Sequence, residues 1–147
     1  MSTKQLLVFL ADDDADDRQF FKEALEGLAF HAQVSSFENG VELMANLLDT
    51  QSVLPDFIFL DLNMPMMTGE ECLNDIKNEP SLSHLPIIIY STSFSEVEAK
   101  RLHQKGANRY IQKPTSFALL KTCLERCLVS LSDDLRNEPS DSAFLVS

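Results

Sequence analysis

The sequence predicts an α/β fold, a five-stranded parallel sheet, doubly wound, with five helices. Three observations carry this. Short apolar runs alternate with segments whose apolar residues recur every three or four positions. The first, third and fourth of those runs are apolar throughout, as expected of strands covered on both faces. The chain has 147 residues, 44% of them hydrophobic and 24% charged, enough for one soluble domain with a sizeable core and a short tail.

The elements follow in order. The first strand is expected over Leu6–Ala11, and the stripe Phe20, Phe21, Ala24, Leu25 and Leu28 marks the helix after it. A second strand is expected over Ala32–Phe37, then a helix marked by Val41, Leu43, Met44, Leu47 and Leu48. The third strand covers 56–60 and ends on Asp61; Cys72, Leu73 and Ile76 mark a shorter helix behind it. The fourth covers 86–91, and Val97, Ala99 and Leu102 mark a helix that Gly106 stops. The fifth covers 108–112. Phe117, Leu120, Leu124, Cys127, Leu128 and Leu131 then form the longest stripe. These limits place the domain at 4–132. The tail at 133–147 is polar, holds Pro139, and is expected to be flexible, with Phe144, Leu145 and Val146 as its apolar exception.

Charge and cysteine usage exclude several classes. A net charge of -11 repels phosphate backbones, so no direct nucleic-acid partner is expected, whereas divalent cations are favoured. Cys72, Cys123 and Cys127 cannot all pair within one chain, and His31, His84 and His103 lack ligand spacing. Buried free thiols are the expectation. The run at Leu6–Ala11 is too short for a signal peptide, and no stretch approaches the ~20 apolar residues of a membrane span. The chain reads as cytoplasmic. It contains neither GxxxxGK[ST] nor GxGxxG, so no nucleotide-phosphate loop is expected.

The chemistry should gather at the carboxyl ends of the strands. Asp12, Asp13 and Asp14 follow the first strand, Asp61 ends the third, Ser91 and Thr92 end the fourth, and Lys113 and Pro114 follow the fifth. An unpaired buried carboxylate costs several kcal/mol, so Asp61 needs compensation. Lys113 and a metal held by the other acids would supply it. Clustered carboxylates suit Mg²⁺, which takes oxygen ligands and keeps several waters. A carboxylate can also act as the nucleophile that forms an acyl phosphate, and phosphoryl transfer depends mainly on positioning and charge neutralisation.

Four segments carry a family resemblance: "FLADDD", "FLDLNMPMMTG", "PIIIYSTS" and "YIQKP". In this order the chain resembles a response-regulator receiver domain of two-component signalling, over about Leu6 to Leu131. It is similar to stand-alone receivers of the chemotaxis and phytochrome-associated kind. The resemblance implies a flavodoxin-like sheet of order 2-1-3-4-5 and assigns roles. Asp61 would be the phosphoacceptor. Asp13 would ligate Mg²⁺ directly and Asp12 through water, with Asp61 and the Asn63 backbone carbonyl completing the protein ligands. Lys113 would pair with Asp61 and then with its phosphoryl group. Ser91 would donate to a phosphoryl oxygen, and Tyr110 would swing inward as Ser91 moves. The Lys113–Pro114 bond would be cis. Asp14 is expected to cap the next helix, with Asp16 and Asp17 on its outward, solvated side favouring the dipole.

The expected partner is a histidine kinase or a histidine phosphotransfer protein, with a downstream protein target and no membrane insertion. A homodimer is compatible with this. Such a chain catalyses its own phosphorylation and dephosphorylation, with no separate substrate turnover. Only 133–147 follows the last helical stripe, so output is expected to run through another protein. The alternatives are a phosphorelay shuttle, a phosphate sink, or a constitutive interaction module. A haloacid-dehalogenase-type phosphatase is disfavoured, because its nucleophile comes on the first strand and Asp12 and Asp13 here precede Asp61.

Overall fold

A computed structural model describes residues 5–134 and 144–147. Strands β1 (Leu6–Ala11), β2 (Ala32–Phe37), β3 (Phe57–Leu60), β4 (Ile87–Ser91) and β5 (Arg109–Gln112) alternate with helices α1 (Ala15–Glu26), α2 (Gly40–Leu48), α3 (Gly69–Asn78), α4 (Glu96–Gln104) and α5 (Phe117–Asp134). A sixth strand, β6 (Leu145–Val146), closes the series. The order is β2-β1-β3-β4-β5-β6, with every pairing parallel. The predicted class and order hold. β1 and β2 match the expected limits, and the three later strands start one residue further on.

The sheet separates two cores, as the period of two in each strand requires. Phe9, Ile58, Leu60, Ile87 and Ile89 face Leu43 and Leu47 of α2, Leu73 and Ile76 of α3, and Leu102 of α4. Val8, Leu10, Phe59, Ile88 and Tyr90 face Phe21 and Leu25 of α1 and Leu124 and Leu128 of α5. Cys72, Cys123 and Cys127 are free and buried in these cores. Burial pushes the Cys72 and Cys127 thiols up to about 12, so both remain neutral packing groups.

Local chemistry sets the helix ends. Asp14 caps α1 by accepting from the Asp16 and Asp17 amides. Thr68 and Glu71 form a reciprocal capping box on α3. Gly106, with φ of 113°, stops α4 in a conformation that a side chain would strain. Among the described residues no helix is long and apolar enough to cross a membrane.

The sixth strand is an addition to the predicted sheet. The expected flexible tail, 133–147, falls in three parts: 133–134 continue α5 past the expected domain limit at 132, 135–143 lies outside the described residues, and in 144–147 the strand Leu145–Val146 pairs with β5. The Tyr110 amide donates to the Phe144 carbonyl at 2.8 Å, and Leu145 and Val146 register with Tyr110 and Ile111. Phe144 is buried and stacks on His103 of α4 at 4.2 Å. The physical reason is the open edge of β5, whose unpaired backbone and apolar flank accept the one apolar stretch of the tail. A second departure concerns Lys113–Pro114. No described peptide bond is cis, so this bond is trans, against the expectation drawn from the resemblance and in line with the intrinsic preference of X–Pro bonds.

Candidate functional site

The carboxyl edge of the sheet gathers the predicted acids. Asp12 follows β1 directly and is fully buried, while Asp13, the next residue, is exposed. Asp61 ends β3 at 6% exposure, its amide donating to the Ala11 carbonyl at 3.0 Å, which ties the ends of β1 and β3 together. One carboxylate oxygen from each of Asp12, Asp13 and Asp61 lies within 4.8 Å of the others. An all-oxygen set of this size fits a hard divalent cation better than a soft metal.

Lys113 reaches into the acids from the end of β5. Its amide donates to the Ser91 carbonyl at 2.7 Å, anchoring the loop to β4. Its Nζ donates to Asp12 Oδ2 at 2.8 Å, to Asp17 Oδ2 at 2.8 Å and to Asp61 Oδ2 at 3.3 Å, and lies 5.1 Å from the centre of the Tyr90 ring. Burial opposes the ammonium charge. The bonds to Asp12 and Asp17 and the charges of Asp12 and Asp61 outweigh it and hold Lys113 above the usual lysine range. For Asp12 the balance reverses. Burial dominates over Lys113 and the Asp14 amide and pushes its carboxyl up to about 6.

Turns fix the other acid oxygens. The Asp14 amide donates to Asp12 Oδ1 at 2.9 Å, and the Asn63 amide to Asp61 Oδ1 at 3.2 Å. Gly69 sits against the Asp61 backbone so closely that a Cβ there would lie 2.2 Å from the Asp61 carbonyl oxygen. The glycine of "MMTG" is therefore a packing requirement of the Asp61 turn.

The switch candidates form a second group. Ser91 is buried, its hydroxyl 3.4 Å from that of Ser93 and accepting from the Ser93 amide at 3.4 Å. Tyr110 is already buried, with its hydroxyl donating to the Ser93 carbonyl at 2.5 Å and its ring edge-on to Phe94 at 5.3 Å. Thr92 is exposed beyond the strand.

Asp12, Asp13, Asp61 and Lys113 thus converge as expected, and Asn63 stands beside Asp61. Asp17 is a correction. Read from sequence as an outward acid of the helix start, it instead bonds Lys113, because α1 docks with the Asp17 side of its first turn toward the end of β5. Arg18 and Tyr90 were also missed. Arg18 Nη1 donates to the Asp12 carbonyl at 2.8 Å, and Tyr90 forms the wall under Lys113. No local signal marks Asp17, because the Asp14 cap bonds the Asp16 and Asp17 amides alike.

A doubly wound parallel sheet carrying an acid pair, a strand-end aspartate and a lysine at its carboxyl edge defines the receiver class. The chain belongs to the response regulator receiver domain family, whose profile matches residues 8–125. It is similar to chemotaxis protein CheY-3 of Vibrio cholerae, 28% identical over 123 residues that cover 84% of this chain and 92% of the relative. Among solved structures it resembles the phosphorylated cyanobacterial phytochrome response regulator RcpA, with a TM-score of 0.76 at 27% identity over 93% of this chain and 98% of that one. It also resembles the Mn(2+)-bound response regulator Rcp1, with a TM-score of 0.73 at 26% identity over 80% and 90% of the two chains. Rcp1 of Synechocystis is 28% identical over 111 residues, covering 73% of this chain and 76% of the relative.

Proposed function

We propose that this chain is a response-regulator receiver that accepts a phosphoryl group on Asp61 in a Mg²⁺-dependent reaction. The carrying observation is that three carboxylates and the Lys113 ammonium meet at one sheet edge. Asp61 shares with Asp12 both the cation group and a bond from Lys113, and its place at the end of β3, in the segment that resembles the phosphoacceptor segment, supports it as the acceptor. A carboxylate oxygen of Asp61 would attack phosphorus while the bond to the donor nitrogen breaks, and the leaving imidazole keeps the bond's electron pair and takes a proton. Lys113 would follow the developing charge from Asp61 to the phosphoryl oxygens. Asp12, Asp13, Asp61 and the Asn63 carbonyl would hold Mg²⁺, which supplies charge neutralisation at those oxygens. The Mn(2+)-bound Rcp1 and the phosphorylated RcpA support both assignments by analogy.

The donor is a histidine kinase or histidine phosphotransfer protein, and the signal passes to a partner protein. Ser91 would bond one phosphoryl oxygen and report the change through Tyr110. The test is labelling by acetyl phosphate with Mg²⁺. A gain of about 80 Da, the mass of one phosphoryl group, is expected in an acid-stable, base-labile form, absent in Asp61→Asn. Equal labelling of the variant would overturn the assignment.

A further inference from the structure

An ammonium has three N–H donors, and Lys113 finds a carboxylate for each in Asp12, Asp17 and Asp61. Two of these acceptors belong to the three-acid group that can hold a cation. The third does not. Asp17 comes from α1, its side chain is 37% exposed, and it meets a lysine that is 8% exposed. Its bond is as short as that of the fully buried Asp12.

We propose that Asp17 is a positioning residue that retains the Lys113 ammonium at the strand ends when a divalent cation claims oxygens of Asp12 and Asp61. A lysine with only those two acceptors competes with the cation at both. A third acceptor outside the cation group lowers the cost of yielding them and keeps the ammonium beside Asp61, where the phosphoryl group would form. The inference rests on the functional reading above, and it deepens that reading by naming what governs metal entry. Asp16 provides the contrast. It is an exposed acid in the same turn, so it adds the same formal charge from a position that faces solvent.

The test is a cycle on the full chain, with Mg²⁺ binding read by calorimetry and the Lys113 ammonium followed by ¹⁵N-resolved spectra. Asp17→Asn is expected to weaken Mg²⁺ binding by about threefold to tenfold, the range for loss of a half-exposed charged hydrogen bond. Asp16→Asn should change it by less than about twofold, as a screened surface charge does. Asp17→Glu should restore most of the affinity. In a Lys113→Ala background the effect of Asp17→Asn should shrink to that of Asp16→Asn. Acetyl phosphate labelling of Asp17→Asn should be slow at limiting Mg²⁺ and recover at saturating Mg²⁺.

Equal effects of Asp16→Asn and Asp17→Asn would overturn the proposal. So would an undiminished effect without the lysine, or a Lys113 signal unchanged in Asp17→Asn. Should Lys113→Ala fail to fold, the Asp16 control, the Asp17→Glu rescue and the lysine spectra still decide. Failure of Asp61 to label in the wild type would remove the functional reading, while the Mg²⁺ measurements would judge Asp17 separately.

Discussion

The acid pocket at the end of β1, β3 and β5 and the outer edge of β5 are both places where the sheet meets something extra, and they are held by opposite physics. In the pocket, charges are buried and balanced: Asp12 is fully buried and Lys113 answers three carboxylates. At the edge, Phe144 and Val146 cover backbone and rings with apolar surface, and the Tyr110 amide gains one more hydrogen bond. The pocket holds unfavourable charge burial, the pattern that clusters at functional sites. The edge contributes stability. Ser91 and Tyr110 lie between the two, since Tyr110 bonds the Ser93 carbonyl on one side and meets Phe144 on the other, at 6.3 Å between rings.

The largest expected effect strikes the pocket through its scaffold. In Gly69→Ala the new methyl would sit 2.2 Å from the Asp61 carbonyl, a contact with backbone that only a shift of the turn can relieve. A loss of roughly 3 kcal/mol or more is expected in urea unfolding, together with weaker Mg²⁺ binding. Wild-type stability in this variant would show that the β3–α3 turn is looser than its packing.

Next is the charge stored at Asp12. Its carboxyl rises from an ordinary 3.8 to about 6 in the fold, mainly by burial. The folded protein thus holds a proton that the unfolded chain has released. That contribution is full below about 4 and is lost as pH rises through about 6. Asp12→Asn, neutral throughout, should therefore be more stable than the wild type by roughly 2–3 kcal/mol at pH 7.5 without Mg²⁺, and little different near pH 4. Urea melts at the two values check this; no gain at pH 7.5 would mean that Lys113 and the Asp14 amide fully offset the burial. Wild-type Mg²⁺ affinity should also fall below pH 6 as Asp12 takes up its proton.

At the edge the sign is the reverse. Phe144→Ala removes a buried ring stacked on His103 and should lower stability by about 2 kcal/mol, less than for a central core position because a chain end can relax. Mg²⁺ affinity should stay within about twofold, since separated sites add independently. A larger change would join the two regions into one unit. The smallest stability effect is Ser91→Ala, under about 1 kcal/mol because its hydroxyl contacts are long at 3.4 Å. Labelling of Asp61 should persist in it. The difference in amide exchange over 97–110 with and without beryllofluoride should shrink, and an undiminished difference would take Ser91 out of the path to Tyr110.

Much of this was legible in the chain. The five βα pairs followed from hydrophobic period, because strands buried on both faces must be apolar throughout. Asp12, Asp13, Asp61 and Lys113 were legible because each follows a strand, and parallel strands bring their carboxyl ends to one edge. The cap at Asp14 and the stop at Gly106 were local chemistry, readable from a few neighbours. Asp17 was not: whether a helix acid faces solvent or a lysine 96 positions away depends on how α1 docks against the end of β5. The trans bond at Lys113–Pro114 follows the intrinsic preference of X–Pro bonds and departs from the resemblance. The docking of Phe144–Val146 was likewise a tertiary decision. The sequence by itself determined which segments are strands and which acids stand at their ends, because period and position along a strand are local properties. Only the folded sheet decided that Asp17 would turn inward and that β5 would be an edge needing cover, because both depend on which surfaces remain unpaired once everything else has packed.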